Sequence, residues 1–350
     1  MTSHDLDSHK LHYHPERVAA WLSGFVVGPI TIELSVTTAC NQRCSFCGFD
    51  YRRSPHAMTG KQLSSLAVEL AKGMPLRRLR AVSLAGEGEP TLVDLEEFVT
   101  LVTGANIRVG MMTNGMSRSF LKYVDRLSWI RFSVNAAKED TYGLLHGVKG
   151  STLNTVLETI SEVAAKKDRG YTVGVQTVLL PENFLETYTL ANILGKMDVD
   201  YYIVKPFTHH PQSANDTAVS DDYYQSHVER LAEHFSTLKG PMRAIIRRNA
   251  FSTLFGKRTP RGCPAASFFH FVSANGGVYS CNSDVGIDAC CIGNVFADPW
   301  QTIIKDQRRK KILTAYDSRD CSKCRLACRL YAANEYLLRL RNPSPHDSFI

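Results

Sequence analysis

This chain lacks what export and membrane insertion require. Its first residues, MTSHDLDSHKLHYHPERV, are polar and mixed in charge, without the apolar stretch of a secretory signal. The most apolar early segment, WLSGFVVGPITIELSV, is broken by Gly and Pro and carries Glu33, so it is too short and too interrupted to span a bilayer. No internal repeat or low-complexity tract is present, which excludes a repeat architecture. Few aromatic residues interleave with the basic run KDQRRKK at 305–311, so nucleic-acid binding has little to rest on. These absences place the chain in the cytoplasm, where thiols stay reduced and clustered cysteines are metal ligands more often than disulfides.

What is present is a 350-residue globular composition, 44% hydrophobic, with enough length for a large core or two domains. There are ten cysteines and a net charge of +7, with basic residues gathered at 245–262 and 305–311. Both runs read as solvated faces; the sharper alternative is attraction of a phosphorylated or nucleotide-linked molecule. His4, His9, His12 and His14 sit in a polar leader that reads as a mobile tail.

From residue 30 short β-rich runs (ITIELSV, LRAVSLA, IRVGMMT, IRFSVNA, YTVGVQTVLL, YYIVKPF) alternate with amphipathic runs in which apolar residues recur at three and four. The helical candidates include GKQLSSLAVELAKGM, LVDLEEFVTLVTG, SFLKYVDRL and TLNTVLETISEVAAKK. Six strand–helix units predict an α/β chain, a partial (β/α)6 TIM-type barrel, with chemistry at the carboxyl ends of the strands. A doubly wound open sheet gives nearly the same pattern. After a polar loop and one more helix, FFHFVSANGGVYSC predicts a β-hairpin turned by NGG. The expected domains are an N-terminal extension at 1–29, a barrel at 30–250, and a small hairpin-plus-helix unit at 251–350.

Cys40, Cys44 and Cys47 follow the first strand in TTACNQRCSFCGFDY. Three thiolates do not close a tetrahedral site. Zinc would want a fourth Cys or His at finger spacing, and within the next dozen residues there is only His56. The spacing Cx3CxxC, with Phe46 before the last cysteine, closely resembles the radical S-adenosylmethionine (SAM) superfamily. GEGEP at Gly86–Pro90 resembles that family's glycine–glutamate–proline loop, with Glu87 where the commonest version has Gly. TNG at Thr113–Gly115 and SVN at Ser133–Asn135 end later strands at the family's spacing.

The resemblance implies that Cys40, Cys44 and Cys47 bind three irons of a [4Fe–4S] cluster, whose fourth iron chelates SAM. It implies SAM contacts at Gly88, Glu89, Pro90, Thr113, Asn114, Ser133, Asn135 and Gln176. Simple strand-end hydrogen bonding is the equal alternative for Ser133, Asn135 and Gln176. The activity implied is generation of a 5′-deoxyadenosyl radical that takes a hydrogen atom from a C–H bond. A one-electron reductant such as flavodoxin or ferredoxin is implied as partner.

The later cysteines resemble the SPASM/Twitch extension of radical SAM enzymes. By that resemblance Cys263 and Cys281 ligate one auxiliary [4Fe–4S] cluster, with Cys321 and Cys324 completing it and Cys328 able to replace either. Structural zinc fits CxxC pairs too. Cys290 reads as a small buried residue. Cys291, before a Gly-Asn turn, is the candidate hydrogen donor of an epimerase. The substrates implied are a sugar, aminoglycoside or cyclitol, as in aminoglycoside-pathway epimerases and dehydrogenases. Epimerisation through Cys291 is one outcome. The other is dehydrogenation with the auxiliary cluster as electron acceptor and Lys205 as base. Ribosomal-peptide maturation is the third reading, against which stand the roughly thirty residues before the first strand, too few for a leader-binding domain. Glu33, His209 and His210 are further polar candidates for substrate hydroxyls.

Overall fold

Alternation in the strands decides how this chain folds. On β1 (Thr31–Leu34) and β2 (Ala81–Leu84), Ile32, Leu34, Val82 and Leu84 are buried towards the helices, whereas Glu33 and Ser83 face a central cavity. The same period of two recurs on β4 (Trp129–Ser133), where Ile130 and Phe132 enter the core and Trp129, Arg131 and Ser133 face the cavity. The strands are therefore not uniformly apolar, as those of an open sheet buried on both faces would be. They carry one apolar face and one mixed face, as a barrel wall does.

The computed structural model describes residues 9–52, 54–166, 170–248, 250–251 and 262–349. His4 and most of the basic stretch expected at 245–262 lie outside the described residues. The sheet has ten strands in the order β10-β9-β8-β1-β2-β3-β4-β5-β6-β7. Strands β1, β2, β3 (Arg108–Thr113), β4, β5 (Thr172–Leu179), β6 (Tyr201–Pro206) and β7 (Arg243–Ile246) are parallel neighbours. Their crossovers carry α2 (Gly60–Ala71), α3 (Glu96–Gly104), α4 (Glu139–His146), α5 (Thr152–Ala164), α6 (Phe184–Leu194) and α7 (Asp221–Thr237). Helix α2 shows why these runs are helical. Thr59 and Gln62 form a capping box at its start, and Leu63, Leu66, Ala67 and Leu70 make one buried stripe.

Three local expectations change. IIRR, read as part of a basic run, contributes Ile245 and Ile246 to a seventh parallel strand. SFLKYVDRL forms two short 3-10 turns instead of a helix, too brief to complete an amphipathic face. Helix α4 was not anticipated.

The largest difference is the hairpin. β8 (Phe269–Val272) and β9 (Gly277–Tyr279) pair antiparallel as expected, and β10 (Cys291–Asn294) joins β9. Yet β8 also pairs in parallel with β1, Thr31 opposite Phe269 and Leu34 opposite Val272. The C-terminal third thus extends the barrel sheet directly. Helices α8 (Trp300–Lys305), α9 (Gln307–Asp317) and α10 (Tyr331–Arg341) follow.

The described part of the leader is packed on the fold instead of forming the expected mobile tail. Helix α1 (Pro15–Leu22) buries Val18 and Trp21 against Phe268, Ala333 and Leu337, and His9 stacks on Tyr336 at 4.4 Å. No described helix is long and apolar enough to cross a membrane.

Candidate active site

The loop after β1 has little secondary structure of its own, so its backbone groups need partners from elsewhere. The last turn of α4 supplies two: Arg43 N–H donates to His146 O at 2.9 Å and Ser45 N–H to Leu145 O at 3.0 Å. The segment after β6 supplies more. Asn215 Nδ2 donates to Cys47 O at 2.8 Å and Thr217 Oγ1 to Ser45 O at 2.9 Å. Cys40, Cys44 and Cys47 form no disulfide and sit on this braced loop, partly exposed to a cavity of about 730 Å³.

His146 lies against this loop. Its Nδ1 is 2.8 Å from Gln42 Oε1 and 3.5 Å from Cys44 Sγ, and its Nε2 is 3.1 Å from Asn135 Nδ2. Burial lowers its pKa to about 3, so the ring is neutral. A neutral ring donates from Nδ1 to Gln42 and accepts at Nε2 from Asn135, which fixes the tautomer. Sequence reasoning passed over His146 because only the tertiary fold brings α4 beneath the cysteines. Asn135 also accepts from Val178 N–H at 2.6 Å.

The GEGEP loop is bound to the same structure. Glu89 N–H donates to Ala39 O at 2.9 Å. A Cβ on Gly88 would lie 2.3 Å from Ala39 O and 2.6 Å from Thr37 O. Glycine is needed there because the cysteine loop's backbone already occupies the space. We expect Gly88→Ala to force the two loops apart, at a cost of about 1–3 kcal/mol. Differential scanning calorimetry checks this; an unchanged Tm would contradict the packing described.

Glu89 is fully buried. It accepts from Thr91 N–H and Oγ1 (3.1 and 2.7 Å), Thr113 Oγ1 (2.7 Å) and Asn114 N–H (2.8 Å). Burial raises its pKa, against these donors, which pull it down. Its carboxylate joins the end of β2 to the end of β3. Pro90 opens the turn beyond and stands outside the cavity lining. Glu87 also has a structural task. Arg52 Nε donates to it at 2.7 Å, Ser273 Oγ at 2.8 Å and Ala274 N–H at 2.9 Å, tying the cysteine loop to the β8–β9 hairpin. The replacement of the usual Gly by Glu87 was the available signal for this link.

Gly88, Glu89, Thr113, Asn114, Ser133, Asn135 and Gln176 all line the cavity with the cysteine triplet. So do Lys205 and five later cysteines: Cys263, Cys281, Cys321, Cys324 and Cys328. Cys321 is in hydrogen-bonding contact with Cys263 and Cys324, while Cys328 lies within electrostatic reach of Cys281, Cys263 and Cys324. Asn334 Nδ2 donates to Cys263 Sγ at 3.3 Å and Leu330 N–H to Cys328 Sγ at 3.4 Å. Such donors stabilise anionic sulfur. Among the described residues no three His, Cys, Asp or Glu side chains are grouped as for a single metal ion.

Lys205 projects into the cavity from β6. Burial lowers its pKa to about 7, reinforced by the charges of Arg325, Arg131, Arg247 and Arg329. Glu33 is ion-paired with Arg329. His209 and His210 stand outside the lining; His210 stacks on Tyr51 instead. Cys291, expected at the barrel mouth, is not there. Its thiol donates to Gly293 O at 3.2 Å, and it packs with Cys290 beside Phe271, Tyr279 and Val285. The pairing of β10 on β9 carries it away from the cavity lining.

Comparison with known proteins places this geometry. The Radical SAM superfamily matches residues 34–192. SuiB of Streptococcus suis, solved bound to its precursor peptide SuiA, is 14% identical with a TM-score of 0.69, over 96% of this chain and 78% of SuiB. The anSMEcpe structure with bound AdoMet is 16% identical with a TM-score of 0.62, over 90% of this chain and all of that one (100%). At such identities these likenesses show a shared fold. No curated protein matches the sequence. The match spans the cysteine loop, the GEGEP turn and strands β2–β5, and over these residues it identifies a radical SAM domain, beyond which the chain continues.

Proposed function

We propose that this enzyme oxidises a hydroxyl-bearing small molecule of the sugar or cyclitol class by two electrons. The observation that carries this reading is one shared cavity, lined by both cysteine groups and by Lys205 but not by Cys291. The donor sets fit the groups they would hold. Cys40, Cys44 and Cys47 offer three thiols without a fourth, leaving one iron of a [4Fe–4S] cluster for SAM. Four of Cys263, Cys281, Cys321, Cys324 and Cys328 suffice for a SPASM/Twitch-like auxiliary cluster. When bound, these cofactors supply one-electron cleavage of SAM, removal of a hydrogen atom from a substrate C–H bond, and uptake of the second electron.

The chain's own residues do the rest. Gly88, Glu89, Thr113, Asn114, Ser133, Asn135 and Gln176, which line the cavity, are the residues that would hold SAM. Glu89 ties the ends of β2 and β3 together. Lys205, whose pKa burial lowers to about 7, takes the hydroxyl proton in its neutral form as the carbon becomes a carbonyl. A one-electron reductant such as flavodoxin or ferredoxin would be the partner that supplies the electron.

Epimerisation needs a hydrogen donor facing the substrate, and Cys291 has its thiol turned to Gly293. Anaerobic reaction of the reduced holoenzyme in D2O, with panels of polyols and aminocyclitols, separates the two outcomes. We expect a product lighter by two hydrogens, formed equally by Cys291→Ala. A product carrying solvent deuterium at an inverted carbon, lost in Cys291→Ala, would establish the epimerase instead.

A further inference from the structure

Helix α4 ends directly against the cysteine loop. Its last residue, His146, accepts from Arg43 N–H through its backbone carbonyl at 2.9 Å. A Cβ on the next residue, Gly147, would lie 2.4 Å from Arg43 O. This close approach delivers the His146 ring to Cys44, and packing holds the ring in place. Tyr142 stacks on it at 4.0 Å and Phe46 meets it edge-on at 5.7 Å. His146, Gln42, Asn135 and Tyr142 are all buried.

Hydrogen bonds fix where the ring carries its proton. Val178 N–H donates to Asn135 Oδ1 at 2.6 Å, and a backbone N–H only donates. The other end of that amide, Nδ2, therefore faces His146 Nε2, at 3.1 Å, and donates to it. Nε2 is the acceptor, so Nδ1 carries the hydrogen. Gln42 Nε2 donates to Tyr142 OH at 3.0 Å, which turns Gln42 Oε1 towards the ring. Nδ1–H thus has two acceptors, Gln42 Oε1 at 2.8 Å and Cys44 Sγ at 3.5 Å, the longer distance suiting the larger sulfur atom. A thiolate draws that hydrogen more strongly than a thiol does, because it is charged.

We propose that His146 is a positioning residue for the first cluster: its Nδ1–H donates to the Cys44 sulfur when that sulfur is an iron ligand, and this makes the cluster easier to reduce. Added negative charge spreads onto the sulfur ligands, and a donor there favours the reduced form. The chain of bonds from Val178 through Asn135 serves this end. With the hydrogen on Nε2 instead, Nδ1 would turn a lone pair on sulfur and oxygen and repel both. The inference needs the cluster assignment for Cys40, Cys44 and Cys47, and not the identity of the substrate.

Redox titration of the anaerobic holoprotein, followed by electron paramagnetic resonance (EPR), tests it. The signal that changes when SAM is added reports the first cluster. His146→Phe keeps the ring on Tyr142 and loses the donor. We expect the ratio of reduced to oxidised first cluster at a fixed potential to fall about tenfold, equivalent to about 59 mV for one electron. The auxiliary cluster should not shift. His146→Asn puts an amide N–H where Nδ1–H was and should recover most of the loss. Pulsed EPR of wild-type protein labelled with nitrogen-15 histidine should show a label coupled to the reduced first cluster, and His146→Phe should lack it.

An unshifted potential in iron-loaded His146→Phe, an equal shift in His146→Asn, or no coupled label in the wild type would overturn the proposal. The last of these needs no variant, so a His146→Phe chain that fails to fold does not shield the idea. Wild-type protein without iron at the first site would refute the cluster assignment, and the proposal with it.

Discussion

Cys44→Ala is expected to abolish SAM cleavage while leaving the auxiliary iron in place. Two [4Fe–4S] clusters hold about eight irons, and the variant should keep about four. The expectation follows from the loop's construction. Four of the bonds that fix its shape, from α4 and from the segment after β6, use no cysteine side chain: Arg43 and Ser45 to His146 and Leu145, and Asn215 and Thr217 to Cys47 and Ser45 carbonyls. Removing one thiol therefore removes a ligand without releasing the loop. Anaerobic reconstitution, an iron assay and chromatography of 5′-deoxyadenosine check this, with Cys281→Ala as the converse. That variant should lose the other four irons and the oxidised product. Wild-type protein with zinc in the first site, or a Cys44→Ala variant that still cleaves SAM, would refute the assignment.

Lys205→Met is expected to lower the yield of oxidised product per 5′-deoxyadenosine by about 10²–10⁴-fold, the usual range for a lost general base. The sign of its pH dependence is set by the surroundings. Arg131 on β4, Arg247 beyond β7, and Arg325 and Arg329 from the C-terminal segment all disfavour the ammonium form, and the facing acid Glu33 is occupied by Arg329. With its pKa lowered to about 7, the amine is neutral above that pH and charged below it. Wild-type activity should therefore rise through pH 7. A measurement without substrate checks the same point. Labelling of Lys205 by an amine-reactive reagent, followed by mass spectrometry, should reach half its maximal rate near pH 7. Ordinary surface lysines reach it only above about pH 10. Half-labelling of Lys205 at the ordinary pH would contradict the reading. Linkage adds a second consequence. The unfolded chain binds this proton up to the ordinary lysine pKa and the folded chain only up to about 7, so this residue makes stability rise with pH between the two. Lys205→Met should flatten that rise and stabilise the protein near pH 7, the usual exchange between stability and a strained active site.

Local features carried most of what the sequence revealed. The cysteine triplet, the GEGEP turn and the NGG hairpin are short-range patterns whose chemistry depends on spacing, and all lie where strand counting puts them. Helices with a full apolar stripe, such as α2, were equally legible. What escaped depends on distant partners. β7 hides within a basic run, because its neighbour β6 decides its conformation. His146 and Glu87 look unremarkable in line, and only the packing of α4 and of the hairpin gives them tasks. The placing of Cys291 depends on distant partners too. Its neighbours in sequence fit a turn at the barrel mouth, but the pairing of β10 with β9 turns the thiol elsewhere.

The parallel contact between β1 and β8 has a consequence for biosynthesis. Thr31 pairs with Phe269, so the strand that leads into the cysteine loop waits for a partner made more than two hundred residues later. While the chain emerges from the ribosome, β1 has one edge open and Glu87 lacks its bonds to Ser273 and Ala274. Contacts this remote in sequence form slowly and expose an edge to aggregation in the meantime. Truncations that end before the hairpin should accumulate as insoluble protein.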